Sequence, residues 1–262
     1  ILYLSPVGSG FMTPLKFLFG KKVIVNHGGL NEWEREKLSW IQKKWAKFNH
    51  LIASKFSDIN IADNILYQDS LRSTFNAKSI IIRYGGDHVN QIERNHVKYS
   101  SKYSFTARPY AISVSRAQLD NNLHIALEAF QDYDQYPLVL ISNWNISKYG
   151  QDLKEHYADN KNLILLDAIY DKEELDYLRG NASLYVHTHS RCGTAPSLVE
   201  AMCLSRPVFS FDVPTNRETT ENKAYFFKTA NDLELLLRKI DENEIQRNGD
   251  LMSDIAHKKY TW

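Results

Sequence analysis

A chain of 262 residues, 43% hydrophobic and 24% charged, is too long for one small domain and suits one large or two medium α/β domains. A net charge of +1 and a pI near 7.9, with no recognisable nucleic-acid module, argue against nucleic-acid binding. Two cysteines, Cys192 and Cys203, cannot build a disulfide framework, and no apolar run approaches the roughly 20 residues of a membrane span.

Ile1–Leu4 is an apolar, strand-like run without a basic stretch before it, so it does not read as an export signal, and a cytoplasmic location is expected. The front of the chain is basic, with nine Lys or Arg against four Asp or Glu in residues 1–60. An ordinary solvated face explains this bias; so does a surface that approaches an anionic membrane or acceptor, such as the inner face of the plasma membrane. Strands are expected at Val23–Asn26, Leu51–Ala53, Ile59–Ala62 and Ser79–Arg83, with helices at Glu34–Phe48 and Asn64–Ser73. The polar, weakly periodic stretch 88–108 reads as a linker. Beyond it, strands at Tyr110–Val114, Leu138–Ile141, Leu163–Leu166, Ala182–His187 and Pro207–Phe211 alternate with helices. Those helices are expected at Asn122–Phe130, Gln151–Tyr157, Lys172–Arg179, Ser197–Leu204, Ala230–Asp241 and Glu244–His257. This alternation predicts βαβ units and parallel sheets. The runs LVLI and LILL suit central strands covered on both faces. The expected organisation is a Rossmann-like domain over 1–95, a linker over 96–108 and a second Rossmann-like domain over 109–262. About four strands precede the linker, fewer than a doubly wound domain usually holds, so the first domain is expected to be incomplete, with upstream sequence missing.

Residues 182–218, ASLYVHTHSRCGTAPSLVEAMCLSRPVFSFDVPTNRE, carry most of the chemistry. A strand ends at His187, a short loop holds Gly193, and Pro196 with Ser197 opens a helix. A strand, a glycine-containing loop and a helix N-terminus form an anion site, because the first-turn N–H groups are free and the helix dipole favours phosphate. Glu200, one turn along, is placed to accept hydrogen bonds from vicinal sugar hydroxyls. Each part alone has a plainer explanation: Gly193 a turn, Glu200 a solvated helix residue, His187 and His189 a strand end.

The string GTAPSLVEAMCLSRPV resembles the nucleotide-binding signature of retaining, family 4-type glycosyltransferases of the GT-B fold, with Gly193, Pro196, Glu200, Ala201, Met202, Pro207 and Val208 in register. HTHSRCGTAPSLVEAM, followed by Asn216, Arg217 and Glu218, is most similar to a bacterial rhamnosyltransferase-like branch. The family's first glutamate position is Cys192 here, and the glycine before Pro-Val is Ser205. The resemblance implies a donor site formed by Arg116, Asn121, His189, Cys192, Gly193, Thr194, Ala195, Pro196, Ser197 and Glu200. Arg116 matches the family's diphosphate-clamping arginine, whereas the family's lysine position is Asn121, which cannot supply the second charge.

VIVNHGGLNEWEREKLSW, residues 23–40, is similar to the same branch's His-Gly-Leu-Glu-Trp segment. It implies that His27 hydrogen-bonds the transferred sugar, that Glu32 contacts a sugar and that Trp33 stacks on one; His27, Glu32 and Arg116 are the catalytic candidates. Trp40 and Trp45 read as core residues of a helix face. Gly85 and Gly86 read as a turn and hinge. The family implies metal-independent transfer, with no cofactor besides the nucleoside diphosphate sugar donor, to a lipid-linked glycan acceptor, with possible peripheral membrane contact. A non-catalytic nucleotide-sugar-binding or scaffold subunit is the alternative, motivated by Cys192 and Asn121; a GT-B epimerase is disfavoured because the signature belongs to the transferase pattern.

Overall fold

Short apolar runs in this chain alternate with amphipathic helices, and all of the expected strand runs but Leu51–Ala53 become parallel strands. The computed structural model describes residues 2–28, 31–34 and 38–262, and of Glu32 the backbone alone. The chain divides into two units, Ile1–Tyr84 with Arg191–Thr194, and Gly85–Ser190 with Ala195–Trp262.

The first unit is built on a four-stranded parallel sheet in the order β1 (Leu2–Leu4), β2 (Val23–Asn26), β3 (Ile59–Ala62), β4 (Ile80–Ile81). Leu2 stands opposite Val23, Ile24 opposite Ile59, and Ile61 opposite Ile80. Between β1 and β2 lie α1 (Pro6–Ser9), a 3-10 turn (Gly10–Leu15) and α2 (Lys16–Phe19). α3 (Trp40–Phe56) and α4 (Ile65–Phe75) follow. Ser39 and Gln42 form a capping box that starts α3, and Asn64 caps α4. The segment Leu51–Ala53, expected as a strand, is the middle of α3. A three-residue apolar run cannot by itself be told from one face of a helix, and here its periodicity continues that of Ala46, Asn49 and His50, all buried. Trp33, Tyr67, Leu71 and Phe75 pack as one core cluster. Trp40 and Trp45, expected in the core, are 67% and 49% exposed, because the side of α3 that meets the sheet carries small and polar residues.

The second unit opens with α5 (Val97–Lys102) and a 3-10 turn (Ser104–Ala107), inside the stretch expected to be a linker. Tyr99 and Tyr103 anchor it: both are buried, their hydroxyls donate to Glu173 and Glu174, and Tyr99 lies 5.2 Å from the Tyr177 ring. Two aromatics four apart in polar surroundings are a helix signal the linker reading passed over. β5 (Ala111–Val114), α6 (Leu123–Phe130), β6 (Leu138–Ser142), α7 (Lys148–His156), β7 (Leu163–Asp167), α8 (Lys172–Gly180) and β8 (Leu184–His187) alternate in turn. They continue as α9 (Pro196–Cys203), β9 (Val208–Phe211), α10 (Pro214–Thr219), β10 (Tyr225–Phe227), α11 (Ala230–Lys239) and α12 (Glu242–Lys259). The six strands run parallel in the order β10, β9, β8, β5, β6, β7. β6 is buried along its whole length, as LVLI predicts. LILL, expected at the centre, forms β7 at the sheet edge, where most of its residues are only half-buried. Gly86 makes a close approach. A Cβ there would lie 2.8 Å from both the Val199 side chain and the Cys203 sulfur, and its N–H donates to the Tyr260 carbonyl at 2.8 Å. Gly85 is likewise closed by the Trp262 indole, 1.9 Å from an added Cβ.

Candidate functional site

The sheet of the second unit reverses its strand order at β5, with β6 and β7 on one side and β8 to β10 on the other. In an open parallel sheet, ligands bind outside the C-terminal strand ends at such a switch point. Ser115 and Arg116 leave β5 there, and Thr188, His189 and Ser190 leave β8.

Hydrogen bonds tie these two loops together. The Asn121 amide donates to the Arg116 carbonyl at 2.8 Å, and the Thr188 hydroxyl donates to the Asn121 carbonyl. The Ser190 N–H and hydroxyl both donate to the Asp120 carbonyl, at 3.1 and 2.8 Å. Ser115 Oγ lies 2.7 Å from His189 Nε2. Asn216, fully buried, donates to the His189 carbonyl at 3.0 Å and the Phe211 carbonyl at 2.9 Å. The backbone around Arg116 is thereby fixed while its side chain stays exposed.

The imidazoles of His187 and His189 lie 4.4 Å apart, centre to centre. Burial holds His187 well below the ordinary histidine range, and His189 beside it adds to the effect. Burial, then the Arg116 cation, lowers His189 to about 4, against a smaller opposing effect of Asp120. Both rings are therefore neutral at pH 7. His189 offers a hydrogen bond, and the positive charge acting on it comes from Arg116.

α9 begins at Pro196, whose missing N–H costs nothing in a first turn. Ala195 at its cap makes no side-chain hydrogen bond, so no protein side chain at the cap neutralises the positive end of the helix. One turn along, Glu200 Oε2 lies 2.9 Å from Arg179 Nη2 and Oε1 lies 3.0 Å from His88 Nε2. Arg179 is only 2% exposed and also lies 3.9 Å from Asp176, which accepts the Asn90 N–H and pairs with Lys172. Glu200 is thus a held carboxylate rather than a freely solvated helix residue. Sequence reasoning missed Arg179 and His88. Arg179 ends a helix rich in charged residues, and nothing in its spacing marks it as buried.

Residues 191–194 group with the first unit. The Thr194 N–H and hydroxyl donate to the carboxylate and carbonyl of Asp63, at 3.2 and 2.9 Å. A Cβ on Gly193 would lie 2.4 Å from an Asp63 oxygen, so the glycine leaves room for Asp63. Cys192 is half-buried and takes part in no disulfide.

His27 departs from its expected role. It ends β2 as expected but is fully buried, with Nε2 2.7 Å from Asn60 Oδ1 and Nδ1 3.3 Å from His50 Nδ1. Tyr67 donates to its carbonyl at 2.9 Å. A ring committed on both nitrogens to protein partners does not reach a sugar, because it faces the inside of its sheet. Burial lowers His27 to about 4, with the Asn60 bond opposing, and burial followed by repulsion from His27 lowers His50 to about 3. The Glu32 side chain lies outside the described residues. Trp33, 5% exposed and edge-on to His50 and Phe75, is a core residue and not a platform for stacking a sugar.

Residues 98–260 match the family model described as Glycosyl transferases group 1, which spans more than half of the chain. The chain belongs to the glycosyl transferases group 1 family. No curated protein matches it. Among solved structures, this group 1 glycosyltransferase chain is similar to sucrose-phosphate synthase from Thermosynechococcus elongatus, at 15% identity and a TM-score of 0.81, covering 99% of this chain and 69% of that one. It is also similar to Anabaena HepE in complex with UDP-glucose, at 14% identity and a TM-score of 0.78, covering 95% of this chain and 71% of that one. A trehalose 6-phosphate synthase from Burkholderia multivorans follows at 10% identity and a TM-score of 0.69, covering 95% and 66%. These likenesses establish an α/β fold of the GT-B type. Within the group 1 glycosyltransferase domain, hydrogen bonds join the loop of Arg116 and Asn121 to Thr188, His189 and Ser190, and Ala195, Pro196, Ser197 and Glu200 lie along the start of α9. No helix among the described residues is long and apolar enough to cross a membrane.

Proposed function

We propose that this chain transfers a sugar, rhamnose first among the candidates, from a nucleoside diphosphate donor to a growing surface glycan carried on a lipid, with retention at the anomeric carbon and without a metal. The observation that carries the reading is the combination of an exposed Arg116 on a hydrogen-bonded loop with the uncapped start of α9, both in the second unit. The donor diphosphate would take the Arg116 fork and the first-turn N–H groups, which stabilise the charge that develops on the leaving group. Glu200, held by Arg179, would accept the ribose hydroxyls. His189, neutral, would donate to or accept from the sugar or phosphate without adding charge. Anabaena HepE, a fold neighbour, is described with UDP-glucose bound, which supports a uridine or related nucleotide in the donor screen.

One observation favours a second reading. The Asn121 amide brings no charge to the diphosphate, and one of its two N–H groups is already committed to the Arg116 carbonyl. A chain with one cation at this position fits a nucleotide-sugar-binding or scaffold subunit. The test is a thermal-shift screen of dTDP-, UDP- and GDP-sugars, followed by turnover of the best binder with lipid-linked acceptors. Nucleoside diphosphate release matched by glycosylated lipid supports transfer. Tight donor binding with no product from any acceptor favours the scaffold, and no donor binding at all refutes both readings.

A further inference from the structure

The first unit carries an exposed apolar face of its own. On α3, Ile41, Trp45 and Phe48 stand four and three residues apart, so they form one stripe, and they are 62%, 49% and 46% exposed. This stripe is separate from the buried one, Ala46, Asn49, His50 and Ala53. The turn and short helix before β2 extend it. Phe11 packs 5.7 Å from the Trp45 ring, and Phe17, Leu18 and Phe19 are 72%, 77% and 65% exposed.

These side chains are held outward by a polar clamp beneath them. Asn49 accepts the Phe11 N–H at 2.9 Å and donates to the Trp45 carbonyl at 2.9 Å. Thr13 donates to the carbonyls of Gly10 and Ile52. Gly10 sits so close to α3 that a Cβ would lie 2.2 Å from the Asn49 carbonyl oxygen. Adjacent exposed apolar side chains on a clamped surface mark a contact site rather than scattered solvent-facing residues.

Charge identifies the occupant. Residues 1–31 and 38–57 contain no Asp or Glu, whereas α3 carries Lys43, Lys44, Lys47 and Lys55, and Lys21 and Lys22 follow α2. Lys44 Nζ lies 4.7 Å from the Trp40 ring centre. Asp58 meets this surface, 3.1 Å from Lys16 and 3.9 Å from Lys22. Aromatic and aliphatic side chains flanked by lysines, with amphipathic indoles among them, match the boundary between headgroups and acyl chains of an anionic bilayer. A second copy of the same face would bring lysine to lysine, which opposes self-association.

We propose that the face formed by α1, the Gly10–Leu15 turn, α2 and α3 docks on the surface of an anionic phospholipid bilayer, with the aromatic side chains seated at the interface and the lysines on the lipid headgroups. The proposal stands apart from the donor reading and holds whether or not the chain transfers a sugar.

The experiment is co-sedimentation of the full chain with vesicles of phosphatidylcholine alone and of phosphatidylcholine mixed with phosphatidylglycerol. Binding is expected to the mixed vesicles only, and to weaken with added salt. Lys43→Gln, Lys44→Gln and Lys47→Gln together should lower the partition coefficient on the order of 100-fold. Phe17→Ser with Trp45→Ser should lower it by about tenfold or more while the thermal midpoint holds, since both side chains are exposed. Brominated phospholipid should quench tryptophan emission in the wild type, and Trp40→Phe with Trp45→Phe should remove that quenching. Equal binding to neutral vesicles, wild-type binding by the lysine or aromatic variants, or quenching that survives the tryptophan pair overturns the proposal. A dimer seen by light scattering in the absence of vesicle binding, and lost in the Phe17 and Trp45 variant, overturns it in favour of a second copy.

Discussion

Arg179 Nη2 and Glu200 Oε2 lie 2.9 Å apart, joining the end of α8 to the second turn of α9 through a guanidinium that is almost completely buried. The pair ties the carboxylate proposed for ribose recognition to the interior of the second unit. Arg179→Met should lower stability by about 3 kcal/mol, since it strips Asp176 and Glu200 of a shared cation. Urea unfolding measures this. Glu200→Gln should weaken nucleoside diphosphate binding while unfolding stays cooperative. Equal calorimetric affinity of wild type and Glu200→Gln for UDP, dTDP and GDP would make Glu200 a structural residue only.

Arg116 is exposed, and its loop is held by main-chain and Asn121 bonds rather than by its own guanidinium. Arg116→Ala should therefore leave the melting temperature unchanged and weaken donor binding by roughly 1.5–3 kcal/mol, the range for a hydrogen bond to a charged group. Calorimetry with the best donor decides it, and unchanged affinity removes Arg116 from the site.

Gly86 packs against α9 where a methyl group has no room. Gly86→Ala should destabilise by about 1–3 kcal/mol through overpacking. Val199→Ala in the same chain should recover part of the loss, because one of the two atoms met at 2.8 Å belongs to the Val199 side chain. A double variant no more stable than Gly86→Ala alone would place the strain elsewhere.

His27 and His50 are neutral and buried in the native chain, with values lowered to about 4 and about 3. In the unfolded chain they take up protons near pH 6.5. Their contribution is fully present above that pH and is lost as pH falls from 6.5 towards 4, by up to about 3 kcal/mol for His27. Unfolding free energy should decline across this window, and His50→Gln should flatten the decline. An identical acid profile in the variant would assign it to His187 and His189 in the second unit.

Much of the fold was legible because buried parallel strands leave continuous β-branched runs. Val23–Asn26 and Ile59–Ala62 form strands with the bounds their composition predicts. Leu51–Ala53 was not legible, since three apolar residues fit a strand or a helix face equally well. Trp40 and Trp45 misled because size and hydrophobicity favour the core, whereas here the small residues Ala46 and Ala53 face inward. At the site, α9 was readable from Pro196 onward. The burial of His27 and the Arg179 partner of Glu200 were not, because both depend on contacts between residues far apart in sequence.

The central strand of the second unit also dictates how that unit must assemble. Ala111 on β5 stands opposite Leu138 on one side and Leu184 on the other. The first partner arrives about 30 residues later and the second only after about 70, so closing the sheet on the β8 side demands a far longer loop. During synthesis a half-sheet of β5, β6 and β7 can form while the other edge of β5 lies bare, which is an invitation to pair with a neighbouring chain. The loops that hold Arg116 and His189 together close only with that late pairing. The paired loops of the candidate site therefore exist only once β8 has joined β5.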